Sequence, residues 1–211
     1  MIAIRLARLS VLAACFCGCA FAQQPNNSEG FRKDFLDKFQ RTGLNTTPPD
    51  AMMLRILVES SRCKRGVEVG AASGFGAMNM GIAFERTGGH LYSLEIDPRR
   101  VQDTRQNLQK VGLDKIVTVV EGDALKTLGA LTGEFDFVFL DALKPDYLKY
   151  LKLIEPKLKR GAVVVADNVV VYERQMADFL AYVRTNPDYD TVTIRASEEK
   201  GDGMTISYKI R

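Results

Sequence analysis

The chain has 211 residues, 46% hydrophobic and 26% charged. That is enough apolar content for one sizeable core, and it excludes a disordered chain or a fibre. Its 29 Lys and Arg against 26 Asp and Glu give a formal charge of +3 with the two signs well mixed, which excludes a dedicated nucleic-acid binder. One His and no Trp exclude a centre built on two imidazoles.

Residues 1–22 stand apart. Arg5 and Arg8 precede an uncharged run of small and apolar residues, and Ala20-Phe21-Ala22 forms a small-x-small site before Gln23. This is the layout of a secretory signal peptide, with an apolar run too short for a comfortable membrane span. The expectation is cleavage after Ala22 and export, to a periplasm or the medium. The rival forms are a lipid anchor at Leu12-Ala13-Ala14-Cys15, or an uncleaved anchor with the domain left in the cytoplasm. Membrane association is expected through this segment alone. Cys15, Cys17 and Cys19 leave with it, so the remaining Cys63 has no disulfide framework and reads as an ordinary thiol.

Residues 23–44 read as a polar linker followed by a short helix. Phe31, Phe35, Leu36 and Phe39 recur at helical spacing before Gly43, and this amphipathic segment is a candidate homodimer contact. A loop at 45–50 leads into a helix over 51–60, where Met52 and Met53 read as core packing. From Gly66 the pattern alternates: strand 66–69, helix 76–85, strand 90–95, helix 98–111, strand 117–121, strand 135–140, helix 147–158 with Pro156 ending or kinking it, strand 161–166 and helix 175–184. Strands 191–196 and 204–209 follow with a Gly-rich turn and no helix between them. FDFVFL and GAVVVA are apolar on both faces, as central parallel strands are. The fold class is α/β: a doubly wound, mostly parallel seven-stranded sheet over 45–211, helices on both faces, closed by an antiparallel hairpin.

Such sheets bind ligands at the carboxyl ends of their strands. The first strand ends in Glu68-Val69-Gly70-Ala71-Ala72-Ser73-Gly74-Phe75-Gly76, a Gly-rich turn that frees amides at the next helix start. Its G-x-x-x-G-x-G spacing differs from the dinucleotide fingerprint, and with the terminal hairpin it argues against a nicotinamide oxidoreductase. Glu95, about 25 residues beyond Gly70, ends the second strand, where an acid accepts ribose hydroxyls. Gly122-Asp123-Ala124 follows the third. Asp141 and Asp167-Asn168 end the fourth and fifth, so two carboxylates and an amide oxygen share one edge. That hard-oxygen set suits Mg²⁺, Mn²⁺ or Ca²⁺, and Lys144 lies three residues past Asp141.

VEVGAASGFGA, SLEIDP, VEGDA, FDFVFLDALKPDY and VVVADNVV, in that order, resemble the motifs of class I S-adenosylmethionine-dependent O-methyltransferases. The resemblance is to their cation-dependent branch, which includes catechol and caffeoyl-CoA O-methyltransferases and small bacterial relatives. It implies that Glu68, Gly70, Ala71, Gly74 and Gly76 form the motif at the donor's amino-acid end, with Thr46 on a nearby loop. It further implies that Glu95 grips the ribose, that Ala124 flanks the adenine and that Asp141 also lies near the donor's amino group. Asp141, Asp167 and Asn168 match the family's metal ligands, for Mg²⁺ or another hard divalent cation, and Lys144 matches its general base. Where catechol enzymes carry His-Trp between Asp and Lys, this chain carries Ala142-Leu143, and the segment after Asn168 is short. The expected activity is transfer of a methyl group to a small, hydroxylated, catechol-like acceptor. The alternative is an exported binding protein that keeps the fold without turnover.

Overall fold

The computed structural model describes residues 27–211; the expected leader lies outside the described residues. Among them, no helix is long and apolar enough to cross a membrane. Helix α1 (Glu29–Asp37) starts at Ser28, whose side chain accepts from the Phe31 amide. Its residues Phe31, Phe35 and Leu36, with Phe39 beyond its end, pack against the core, and Phe39 stacks on Phe75 with centroids 5.5 Å apart. Arg32 fastens the helix: it donates to the Val111 and Gly112 carbonyls at 2.8 and 3.2 Å and pairs with Glu85. The segment expected to offer a dimer contact thus also packs on its own core, its side chains only partly buried. Helix α2 (Pro48–Ser60) is capped by Thr47 and carries two prolines in its first turn, where a missing N–H costs nothing.

The alternating part follows as β1 (Arg65–Val69), α3 (Phe75–Thr87), β2 (His90–Glu95), α4 (Pro98–Lys110), β3 (Val117–Glu121), α5 (Ala124–Ala130) and β4 (Phe135–Leu140). It continues with α6 (Tyr147–Ile154), β5 (Leu158–Ala166), α7 (Ala177–Thr185), β6 (Tyr189–Ile194) and β7 (Met204–Lys209). The seven strands form one sheet in the order β3-β2-β1-β4-β5-β7-β6. The first five are parallel, and β7 runs antiparallel between β5 and β6. This is the doubly wound architecture with a terminal hairpin that the sequence led us to expect.

Differences are local. Helix α5 escaped the periodicity reading because seven residues show too little of a period; its start is marked by Asp123, which accepts from the Leu125 amide at 2.9 Å. Helix α6 ends at Ile154, and Pro156 lies in the short 3-10 turn that follows. Strand β5 begins three residues earlier than expected, at Leu158, beside a register shift opposite Phe135 and Phe137. Both sheet faces are covered. Val138 and Leu140 pack under α6 and α7 with Tyr147, Leu151 and Phe179, whereas Phe137 and Phe139 pack under α2 to α4 with Leu54, Met78 and Phe84. Cys63 is buried in the second layer, and burial pushes its thiol up to about 12.

Candidate active site

The strand order reverses between β1 and β4, which opens a crevice at the carboxyl ends of these strands. The ladder runs one residue past the strands there. Gly70 donates to the Leu94 carbonyl, Asp141 to Val69 and Asp167 to Leu140, each at 2.9 Å. Because Val69 pairs with both Leu94 and Leu140, and Leu140 with Ala166, these bonds set Glu95, Gly70, Asp141 and Asp167 side by side in one row. Four sequence-predicted positions, far apart in the chain, thus share one edge.

Glu95 is buried and accepts from the Ala72 amide with one oxygen and from the Ile96 and Asp97 amides with the other, at 2.9–3.0 Å. These backbone bonds fix the carboxylate and leave lone pairs for a ligand. Glu68 is 1% exposed and accepts from the Ser93 hydroxyl at 2.5 Å. Burial pushes its carboxyl up to about 8, against the pull of that hydrogen bond. A Cβ on Gly76 would stand 2.7 Å from the Glu68 carboxylate and 3.5 Å from the Thr46 hydroxyl, so Glu68 and Thr46 both flank Gly76. The Thr46 hydroxyl is buried without a hydrogen-bond partner, as is the Asn45 side-chain nitrogen beside it in sequence. Such groups leave a bond for water or a polar ligand to complete.

Two glycines of the turn are also required by packing. Gly70 has φ +99°, and a Cβ there would meet the Asp141 carbonyl oxygen at 2.1 Å, so its bareness lets β1 and β4 cross closely. Gly74, φ +91°, starts α3 and faces Thr104 of α4. Ala71 lies between them, buried, and Ala124 is buried as the first residue of α5.

At the β4 end, Lys144 donates to Asp141 Oδ1 at 3.0 Å and to the Tyr147 hydroxyl at 2.9 Å. At the β5 end, Asp167 is 1% exposed; burial first and Asp141 second push its carboxyl up to about 7, while Lys200 and the Asn168 amide act the other way. Asn168 holds φ +63° and donates through its side chain to Asp202 at 3.1 Å. Asp202, buried, also accepts from the Val170, Val171 and Gly203 amides and so ties the loop after β5 to the hairpin connection.

Lys200, on that connection, escaped the sequence reading. Its ammonium contacts Asp167 Oδ2 directly and stands 3.9 Å from Asp50, itself a buried acid that had gone unremarked. Nothing local in the sequence points to it, because its partners come from α2 and β5. Ser93 and Asp202 were missed for the same reason, their partners being distant in the chain. Between α1 and α4 lies a groove of about 520 Å³, lined by Phe31, Phe39 and Lys110, that includes none of the row's acids.

These residues fit an S-adenosyl donor: a buried acid at the ribose position, an orphaned hydroxyl and a second buried acid beside Gly76. A divalent cation fits them poorly. Asp167 Oδ2 is engaged by Lys200 and Asp141 Oδ1 by Lys144, although Asn168, which donates through Nδ2 to Asp202, keeps its amide oxygen free. Each elementary charge on an ion about 4 Å from the Lys200 ammonium would cost about 4 kcal/mol at an effective dielectric near 20.

The sheet order and its acidic edge define a Rossmann-like methyltransferase. The sequence profile of the O-methyltransferase family matches residues 26–209. A catechol O-methyltransferase of Mycobacterium tuberculosis is 33% identical over 73% of this chain and 76% of its own length. The O-methyltransferase ankF of Aspergillus thermomutatus is 28% identical over 64% of this chain, which spans only 58% of that protein. The O-methyltransferase TomG of Streptomyces achromogenes, solved in complex with SAM, superposes with a TM-score of 0.76 at 25% identity over 86% of this chain and 89% of TomG. The chain belongs to the S-adenosylmethionine-dependent O-methyltransferase family.

Proposed function

We propose that this protein transfers the methyl group of S-adenosylmethionine to a hydroxyl of a small aromatic acceptor at the carboxyl end of β4. The observation that carries the reading is the row Glu95, Gly70, Asp141 and Asp167, flanked by the unpartnered Thr46 hydroxyl. Glu95 would accept the ribose hydroxyls, and Ala124 would flank the adenine. Glu68, Gly70 and Ala71, with Thr46, would hold the amino-acid end, while Gly74 and Gly76 shape the turn. The sulfonium supplies a methyl carbon open to in-line displacement, so the protein's task is chiefly alignment.

The acceptor hydroxyl must also lose its proton, although a phenol's ordinary pKa is about 10. Lys144 is the group we assign to take it. Its two donated bonds, to Asp141 and Tyr147, are all that a neutral amine can make, and they leave its lone pair for the acceptor proton. The O–H proton passes to Lys144, the acceptor oxygen forms the bond to carbon, and the C–S electron pair stays on sulfur. Leu143, Val171 and Tyr172 are exposed apolar side chains around the turn at Lys144–Asp146, which packs against the turn at Glu173–Met176. They offer an aromatic ring a surface without any Trp. Export through residues 1–22 belongs to the same proposal; an N-terminus at Gln23 on the protein recovered from cells supports it, and Met1 opposes it.

The reading is tested by incubating the protein with methyl-labelled S-adenosylmethionine and a panel of catechols and simple phenols. Label on the acceptor oxygen is expected. Tight donor binding with no transfer to any of them would overturn it in favour of a binding protein.

A further inference from the structure

Lys200 is a half-buried cation at this edge that the reaction above does not use. Its neighbours Glu198 and Glu199 are exposed, whereas Lys200 turns inward, its side chain 23% exposed. The segment that presents it is fastened on both sides. Arg41 pairs with Glu199 at 3.1 Å, Ser197 is buried, and Asp202 accepts from three backbone amides and from Asn168. The hairpin connection thus delivers an ammonium to Asp167, within 3.9 Å of Asp50 and in the field of Asp141.

We propose that the Lys200 ammonium is the built-in cation of this site, standing where a divalent ion would have to bind and making methyl transfer independent of metal. This rests on the methyltransferase reading. One ammonium carries three donors; Asp167 takes one, and another faces the acceptor oxygen, whose developing negative charge it stabilises. The Lys200 ammonium then offsets the Asp167 carboxylate without an added ion. A lysine differs from a metal ion here in one testable respect: it excludes the ion while it is present, and its removal leaves two acids and an amide oxygen unbalanced.

Mn²⁺ titration followed by electron paramagnetic resonance reads this directly, using the full chain without donor or acceptor. The wild-type protein is expected to leave the free-ion signal unchanged up to millimolar Mn²⁺. Lys200→Met should bind Mn²⁺ roughly tenfold or more tightly than wild type, and Lys200→Arg should behave as wild type. Should the Met variant fail to fold in a thermal melt, Lys200→Gln takes its place. Micromolar Mn²⁺ binding by wild type overturns the proposal, and so does a folded Lys200→Met or Lys200→Gln variant that binds no better than wild type. Because neither donor nor acceptor is present, a failed methyl-transfer assay does not alter this outcome. Methyl transfer by wild type that is unchanged in EDTA is the matching functional result; transfer abolished by EDTA also overturns the proposal.

Discussion

Glu68 is an acid with no compensating cation beside it, and its carboxyl, pushed up to about 8 by burial, has a measurable consequence. Between about pH 4.5 and about pH 8 the folded chain keeps a proton that the unfolded chain has lost, so stability falls as pH rises through that window. Asp167, also raised, acts in the same direction over a shorter range. We expect the melting temperature of the free protein to decline from about pH 5 to about pH 8, and Glu68→Gln to flatten part of that decline. A variant with the wild-type slope would contradict the assignment. Lys144→Ala should lower kcat by roughly 10²-fold or more while donor affinity stays close to wild type, the signature of a lost proton acceptor. Equal loss of donor affinity would make Lys144 a binding residue instead. Cys63, buried and with its thiol raised, should resist thiol reagents until the chain unfolds.

At the scale of elements, the loop after β5 and the hairpin connection meet at Asp202. Asp202→Ala would strand three backbone amides and release Asn168, so a loss of about 2 kcal/mol or more in denaturant unfolding is expected. Unchanged stability would mean that water replaces those bonds. Tyr172→Ala should raise KM for aromatic acceptors with little change in kcat, because the ring lies outside the donor row; an unchanged KM would place the acceptor elsewhere. The strands were legible because their limits are chemical: β2, β3, β4 and β7 each match the alternation or apolar run read from sequence. The acids at strand ends were legible because strand periodicity sets the register of their neighbours, and the ladder beyond the strands brings Glu95, Gly70, Asp141 and Asp167 together. Lys200 and Asp202 were not, since their meaning comes from a connection folding back on β5. The close approach of β4 to Gly70 was not legible either, since only the folded sheet brings the Asp141 carbonyl there.

Over the whole molecule, two apolar layers hold the strand ends in place, and the central strand β4 feeds both. Phe139→Ala should cost about 3–5 kcal/mol and lower the melting temperature by roughly 10 °C, because its ring is fully buried between the sheet and its helices. A shift of only a degree or two would show that this layer can collapse around the gap. In the proposed reaction, donor, acceptor and two lysines meet at that edge. The most direct test is calorimetric titration of the protein with S-adenosylmethionine, and separately with NAD, in the presence of EDTA, repeated with Glu95→Gln. We expect micromolar binding of S-adenosylmethionine by wild type, none of NAD, and at least a roughly tenfold loss in the variant. No donor binding by wild type, NAD binding in its place, or a variant that binds as well as wild type would contradict the account.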